Sequence, residues 1–213
     1  MAGRASRARA REALSLLMAR YPGADCALVH RNAWELLCAT ILSAQCTDKR
    51  VNMVTPVLFD RFPTPEALAA ADPAEVEDIV KTTGFFREKT KSLIAMSQDV
   101  ADRFGGRVPA DMKALTSMRG VARKTANVIL GTAFGKNEGV VVDTHVGRIA
   151  RRLGWTCETD PVKVERDLMA LFPRKLWTVL GHTVILHGRD LCEAKKPRCG
   201  ECPVRSICPS AAP

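Results

Sequence analysis

The chain has 213 residues, 46% of them hydrophobic and 26% charged, the balance of a globular protein rather than of a disordered or membrane-embedded one. That length permits one large domain or two small ones, with a core that does not depend on disulfides. With 32 Lys and Arg against 23 Asp and Glu the net charge is +9, which points to a polyanionic partner, nucleic acid before all others.

The opening MAGRASRARARE is basic, but no apolar core follows it as a secretory signal requires, and no apolar run is long enough to span a bilayer. The expectation is a cytoplasmic protein, so the 8 cysteines need an explanation other than disulfides. Leu14, Leu17, Met18 and Tyr21 then fall at helical spacing. Trp34, Leu37, Cys38, Ile41 and Leu42 form the apolar stripe of a buried-face helix. Thr64-Pro65-Glu66, Asp72-Pro73 and Asp160-Pro161 each set a capping side chain ahead of a proline suited to a first helical turn. Leu93, Met96, Val100 and Phe104 predict a further helix, which Gly105-Gly106 ends. Val140 to Val142 is the one strongly β-branched run and is too short to outweigh this pattern. The fold class expected is all-α, with helices joined by short turns. Charge is uneven: residues 60–80 hold six acids against Arg61 alone, whereas Arg119, Arg123, Lys124, Arg148, Arg151 and Arg152 make the second half basic and mark a nucleic-acid face.

Four motifs carry chemistry. Residues 115–128 read LTSMRGVARKTANV: a short helix, a glycine for an unusual backbone angle, and a new helix start. Free N–H groups at such a start can bind a phosphate oxygen whatever the base sequence. The plain alternative is an ordinary interhelical turn with surface charges. The second motif, Val142-Asp143-Thr144-His145, precedes the apolar spacing Val146, Ile149, Leu153. Asp143 therefore reads as a helix cap, unless Lys124 lies near enough to use its carboxylate. A lysine attacks carbon only as the neutral amine, which needs a base or surroundings that disfavour the ammonium; a helix dipole, neighbouring arginines and burial would supply these. The third motif is Cys192-x6-Cys199-x2-Cys202-x5-Cys208, with Pro197, Gly200 and Pro203 for its turns. Four thiolates in so short a loop suit a cubane iron–sulfur cluster or a tetrahedral zinc ion. Cys26, Cys38 and Cys157 read as small buried filler, and packing is also the simplest role for Cys46. The fourth is ILSAQCTD at residues 41–48.

Together the GxxRKTAN hairpin, VDTH some twenty residues on, the cysteine loop, ILSAQCTD and TVILHGR at 183–189 resemble bacterial endonuclease III, the helix–hairpin–helix DNA glycosylases with an iron–sulfur cluster. The likeness covers residues 14–208. It implies a six-helix barrel domain at 26–136 carrying the hairpin, and a cluster domain formed by 1–25 with 137–213, with the active site in the cleft between them. It implies a bifunctional DNA glycosylase and abasic-site lyase acting on oxidised pyrimidines in double-stranded DNA, as a monomer. Lys124 would be the nucleophile at the sugar C1′ and Asp143 its paired carboxylate. Gln45 would fill the hole left by a flipped base, and residues 83–86, TGFF, would form a second wedge. Arg119, Gly120, Val121, Ala122, Arg123 and His145 would contact DNA. Cys192, Cys199, Cys202 and Cys208 would hold a 4Fe-4S cluster, lowering the assembled charge from +9 to about +7.

This chain departs from the family pattern at Phe85, where leucine is usual; at Arg119 and Ala122, where the hairpin prefers proline and glycine; and at Gly147, which would open the damage-side pocket. Phe85 or Phe86 could equally pack in the core. Two rivals remain at this stage. A mismatch- or adenine-type monofunctional glycosylase would lack the nucleophilic lysine, and a non-catalytic hairpin protein with a structural cluster would have no need of Lys124 and Asp143 together.

Overall fold

The computed structural model describes residues 5–211, among which there are eleven α-helices and no strand. The chain divides into two compact units, Cys26–Lys136 and Met1–Asp25 joined to Asn137–Pro213. No helix among the described residues is long and apolar enough to cross a membrane.

The Cys26–Lys136 unit holds α2 (Ala33–Leu42), α3 (Asp48–Arg61), α4 (Pro65–Ala69), α5 (Pro73–Val80), α6 (Phe86–Phe104), α7 (Met112–Thr116) and α8 (Arg123–Phe134). The start signals work as read. Thr64 and Asp72 accept from the backbone N–H groups of Ala67 and Ala74 ahead of α4 and α5, each with proline in the first turn. Gly105 ends α6 in the left-handed conformation. Leu36, Leu37 and Leu42 of α2, Leu58 of α3, Leu93 and Met96 of α6 and Ile129 and Leu130 of α8 share one core. Burying a leucine-sized side chain contributes about 1.5–3 kcal/mol, so this cluster organises the unit. Trp34 lies against Phe59 with ring centroids 5.5 Å apart.

The second unit holds α1 (Arg7–Arg20), α9 (Thr144–Arg152), α10 (Pro161–Leu171) and α11 (Trp177–Asp190), followed by the cysteine loop. Leu14 and Leu17 of α1, Val146 and Ile149 of α9, Val164 and Leu168 of α10 and Leu180 and Val184 of α11 form its own core. Trp155 meets Phe172 edge-on at 4.9 Å. Helices α9 and α11 approach closely at Gly188, where a Cβ would come within 2.9 Å of both His145 Cβ and Ile149 Cδ1. Val140 to Val142 form no strand. Cys38 is buried and Cys26 and Cys46 are half-buried, but Cys157 is exposed, contrary to its reading as filler. It lies in the loop after α9, where Trp155 and Thr156 occupy the interior places.

Candidate functional site

Within the Cys26–Lys136 unit the first turns of α6 bring two of the motif segments together. Gly120, φ +80°, lies over Ser92 of α6, whose Cβ would be 2.8 Å from an added Cβ, so only glycine fits. Arg119 pairs with Glu88 of α6 at 3.2 Å. Glu88 also takes Lys91 at 2.8 Å, and these two cations hold its carboxyl below the usual range, Lys91 the more strongly. The charge that Arg119 adds to the hairpin is thus partly returned to the protein. Ala122 precedes α8 in an extended conformation, φ −83°, and offers no side-chain cap. Its methyl costs nothing there, and among the described residues the N–H groups of Lys124 and Thr125 meet no acceptor. Val121 is buried and anchors the hairpin, while Arg123, the first residue of α8, is exposed.

Lys124 is the second residue of α8 and is exposed, with no hydrogen bond or ion pair among the described residues. Burial, one of the influences expected to help neutralise it, is therefore absent. Lys124 lies at the positive end of the α8 dipole.

Gln45 and Phe85 are the two non-glycine residues with positive φ among the described residues, at 52° and 48°. This conformation costs an L-residue roughly 1–2 kcal/mol, and such outliers gather at functional sites. Gln45 is exposed just beyond α2, and Phe85 stands ahead of α6 with 67% of its surface exposed. Phe86 takes the packing role in the core, which leaves Phe85 for solvent or a ligand. The conformation of both residues was invisible in the sequence.

In the other unit Asp143 caps α9: its Oδ1 accepts from the Val146 N–H at 2.8 Å. Its Oδ2 has no partner among the described residues. His145 is half-buried against Gly188, with Nδ1 3.2 Å from Arg148 Nη2, so its ring helps to pack α9 on α11. Gly147 is buried, and an added Cβ would meet Arg151 Nη1 only at ordinary contact, 3.5 Å. Nothing steric therefore demands glycine there.

Two of the arginines read as part of a nucleic-acid face serve the protein itself. Arg148 donates to the carbonyls of Gly188 and Cys192 at 3.0 and 2.9 Å. Arg152 donates to those of Glu193 and Ala194 at 2.7 and 2.8 Å, and to Cys192 Sγ at 3.2 Å. They tie the start of the cysteine loop to α9. Their acceptors are some 40 positions away in sequence, so no local signal could have assigned them.

Cys192, Cys199, Cys202 and Cys208 are all reduced and half-buried, and they line one cavity walled by Ile149, Leu153 and Val204. Burial pushes the Cys202 and Cys208 thiols upward, and the neighbouring cysteines add to it. Four thiolates would repel one another here unless a cationic core sat among them. Among the described residues no three donors converge closely enough to grip a single metal ion. Four soft ligands spread around one cavity fit a multi-iron cluster better than a zinc ion, which leaves behind the spacing-based ambiguity. His187 Nε2 lies 3.7 Å from Cys202 Sγ.

The chain matches the model of the HhH-GPD superfamily base excision DNA repair proteins over residues 38–174, and that of the iron–sulfur binding domain of endonuclease III over residues 190–208. It is 51% identical over 203 residues to an endonuclease III of Synechocystis sp., covering 95% of this chain and 93% of that one. Endonuclease III of Bacillus subtilis is 43% identical over 189 residues, covering 88% and 86%. Among solved structures, a trapped covalent intermediate of endonuclease III with DNA matches with a TM-score of 0.92 at 38% identity, over 97% of each chain.

Proposed function

The chain belongs to the endonuclease III family of HhH-GPD base excision DNA repair proteins, and from that premise we propose how its own residues carry out the reaction. The protein is a bifunctional DNA glycosylase and abasic-site lyase with a 4Fe-4S cluster. Its partner is DNA. In our reading the substrate is a duplex bearing an oxidised pyrimidine or an abasic site, and the enzyme works as a cytoplasmic, nucleoid-associated monomer.

The observation that carries the reading is an exposed lysine, its side chain without a partner among the described residues, in the first turn of the helix that follows the Gly120 hairpin. The N–H groups of the first turn of α8, at the positive end of its dipole, grip a phosphate without regard to sequence. Extruding the damaged base costs a few kcal/mol, and Gln45 and Phe85 enter the vacated stack to offset it. An aromatic wedge such as Phe85 adds stacking that an aliphatic one cannot. Lys124 Nζ, as the neutral amine, attacks C1′. The new C–N bond forms as the bond to the base breaks, and the base leaves with that electron pair. The sugar ring then opens, the C1′–O4′ bond breaking so that O4′ leaves as a hydroxyl and an iminium forms at C1′; C2′ loses a proton, and the electrons expel the 3′ phosphate and nick the strand. Asp143 commits one oxygen to the α9 cap, and its carboxylate has the role that the family likeness implies, assisting deprotonation of Lys124 and stabilising positive charge on the sugar. Cys192, Cys199, Cys202 and Cys208 would hold the cluster, which when bound would supply a cross-link within the loop.

Borohydride trapping tests this directly. Wild-type protein is incubated with duplexes carrying thymine glycol, an abasic site or an A/8-oxoguanine pair, then reduced. A covalent adduct with the first two, absent in Lys124→Ala, is expected. No adduct with the wild type, or an undiminished one with the variant, overturns the lyase assignment.

A further inference from the structure

Lys89 was not singled out by any motif, yet it is 5% exposed, an unusual place for a lysine. It lies in the first turn of α6 and makes two bonds, one on either side of Gly84-Phe85. Its backbone N–H donates to the Phe85 carbonyl at 3.1 Å, and its Nζ donates to the Thr83 carbonyl at 2.7 Å. Gly84 and Phe85 are both left-handed, φ 72° and 48°, so one residue clasps the ends of the strained turn. Thr83 is itself buried, its hydroxyl donating to the Val80 carbonyl at 2.8 Å, so the clasp is fixed to α5. The ammonium also interacts electrostatically with Cys46, the residue after Gln45. Burial disfavours its charge, and a cost of that kind is kept only where the surroundings need the bond.

We propose that Lys89 is a positioning residue for the damage search, holding Gly84-Phe85 in the left-handed turn that presents the Phe85 ring to DNA. The function rests on the wedge reading of Phe85, whereas the clasp stands on the geometry of the free protein. Lys89 is not a catalytic residue, because it touches neither substrate nor reacting atoms.

The test compares Lys89→Met, which keeps the chain length and removes the donor, with Phe85→Ala in the full, cluster-loaded enzyme. Hydrogen exchange at the amide of residue 89, which bonds to the Phe85 carbonyl, is expected to accelerate at least about tenfold in Lys89→Met, in line with the loss of a local bond to a charged donor. Exchange in the later turns of α6 should be unchanged. On a thymine-glycol duplex kcat/KM should fall about tenfold or more, as misplacement of a contact group predicts. Borohydride trapping on a single-stranded abasic oligonucleotide, which needs no wedge, should remain at the wild-type level. Unaltered exchange at the amide of residue 89, or equal losses on duplex and single strand, overturns the clasp. If Phe85→Ala leaves duplex cleavage intact while Lys89→Met still loosens the turn, the wedge reading fails and the clasp survives. A measurement on the wild type guards against a variant that does not fold: in reductive methylation Lys89 should react far more slowly than Lys91 and Lys124, and equal labelling also overturns the clasp.

Discussion

Asp143 shows how one side chain can satisfy both a structural and a chemical reading. As a cap it is replaceable by asparagine, which accepts the same N–H bond, whereas alanine removes the cap at a cost of about 1 kcal/mol. As a carboxylate it is replaceable by neither. Urea unfolding should therefore place Asp143→Asn within about 0.5 kcal/mol of wild type and Asp143→Ala about 1 kcal/mol below it. Single-turnover base release should fall in both by roughly 10²–10⁴-fold, the range of a lost acid–base group. Phe85 makes the opposite case, a residue strained by its position. Phe85→Gly relieves a left-handed conformation that costs roughly 1–2 kcal/mol, and the exposed ring gives up little packing. The variant should unfold at an equal or higher urea concentration while losing duplex glycosylase activity. A stability loss above about 1 kcal/mol would mean that the ring packs in the core, an amount typical of buried rather than exposed sites. Sequence reading could name Phe85 through its family likeness but could not see the strain, because φ there follows from contacts made by Thr83 and Lys89.

At the scale of elements, the helices whose beginnings carry a cap followed by proline were legible, because Thr64, Asp72 and Asp160 bond to N–H groups only two or three residues ahead. The stripe Leu93, Met96, Val100 reads as α6 for the same reason of locality, and all three are buried. Helix α3 was harder to see, since it carries Pro56 in its interior and Met53 and Val57 are exposed. The hairpin could be recognised, but not what supports it. Gly120→Ala tests that support. A methyl there combines a left-handed penalty of roughly 1–2 kcal/mol with a 2.8 Å approach to Ser92 Cβ. It should lower stability by roughly 1–3 kcal/mol, the range for overpacking, and weaken binding to undamaged duplex DNA. Chemical denaturation and fluorescence anisotropy would read the two losses. Glu88→Gln acts in the other direction: with Arg119 released, affinity for undamaged duplex should rise and its salt dependence should steepen.

At the scale of the whole molecule, the two units have separate cores, so loss of the cluster should be felt unequally. After ferricyanide oxidation and chelation, amide protection should collapse across residues 191–208, where a few short 3-10 turns and the arginine clasps are the remaining order. Protection in α2 and α6 should persist, because their core contains no cluster ligand. Equal loss throughout the chain would contradict this. The net charge of +9 pointed to nucleic acid, but composition could not separate cations that face outward from those that hold the fold. Among the described residues the Lys124 side chain is exposed and without a partner, whereas Arg148 and Arg152 are committed to the cysteine loop and Lys89 to the turn at Phe85.

What the sequence determined by itself was whatever depends on neighbours within about one helical turn or on chemical identity. That includes the all-helical class, the caps and stops, the Gly120 hairpin and the four cysteines that gather around one cavity. Tertiary structure decided the rest. It set the left-handed backbone at Gln45 and Phe85, the burial of Lys89, the packing of His145 on Gly188 and the exposure of Cys157. The reason is physical range. A cap or an apolar stripe is completed within three or four residues, while a buried ammonium, a strained turn or an arginine clasp exists only when segments distant in sequence have packed and removed water from between them.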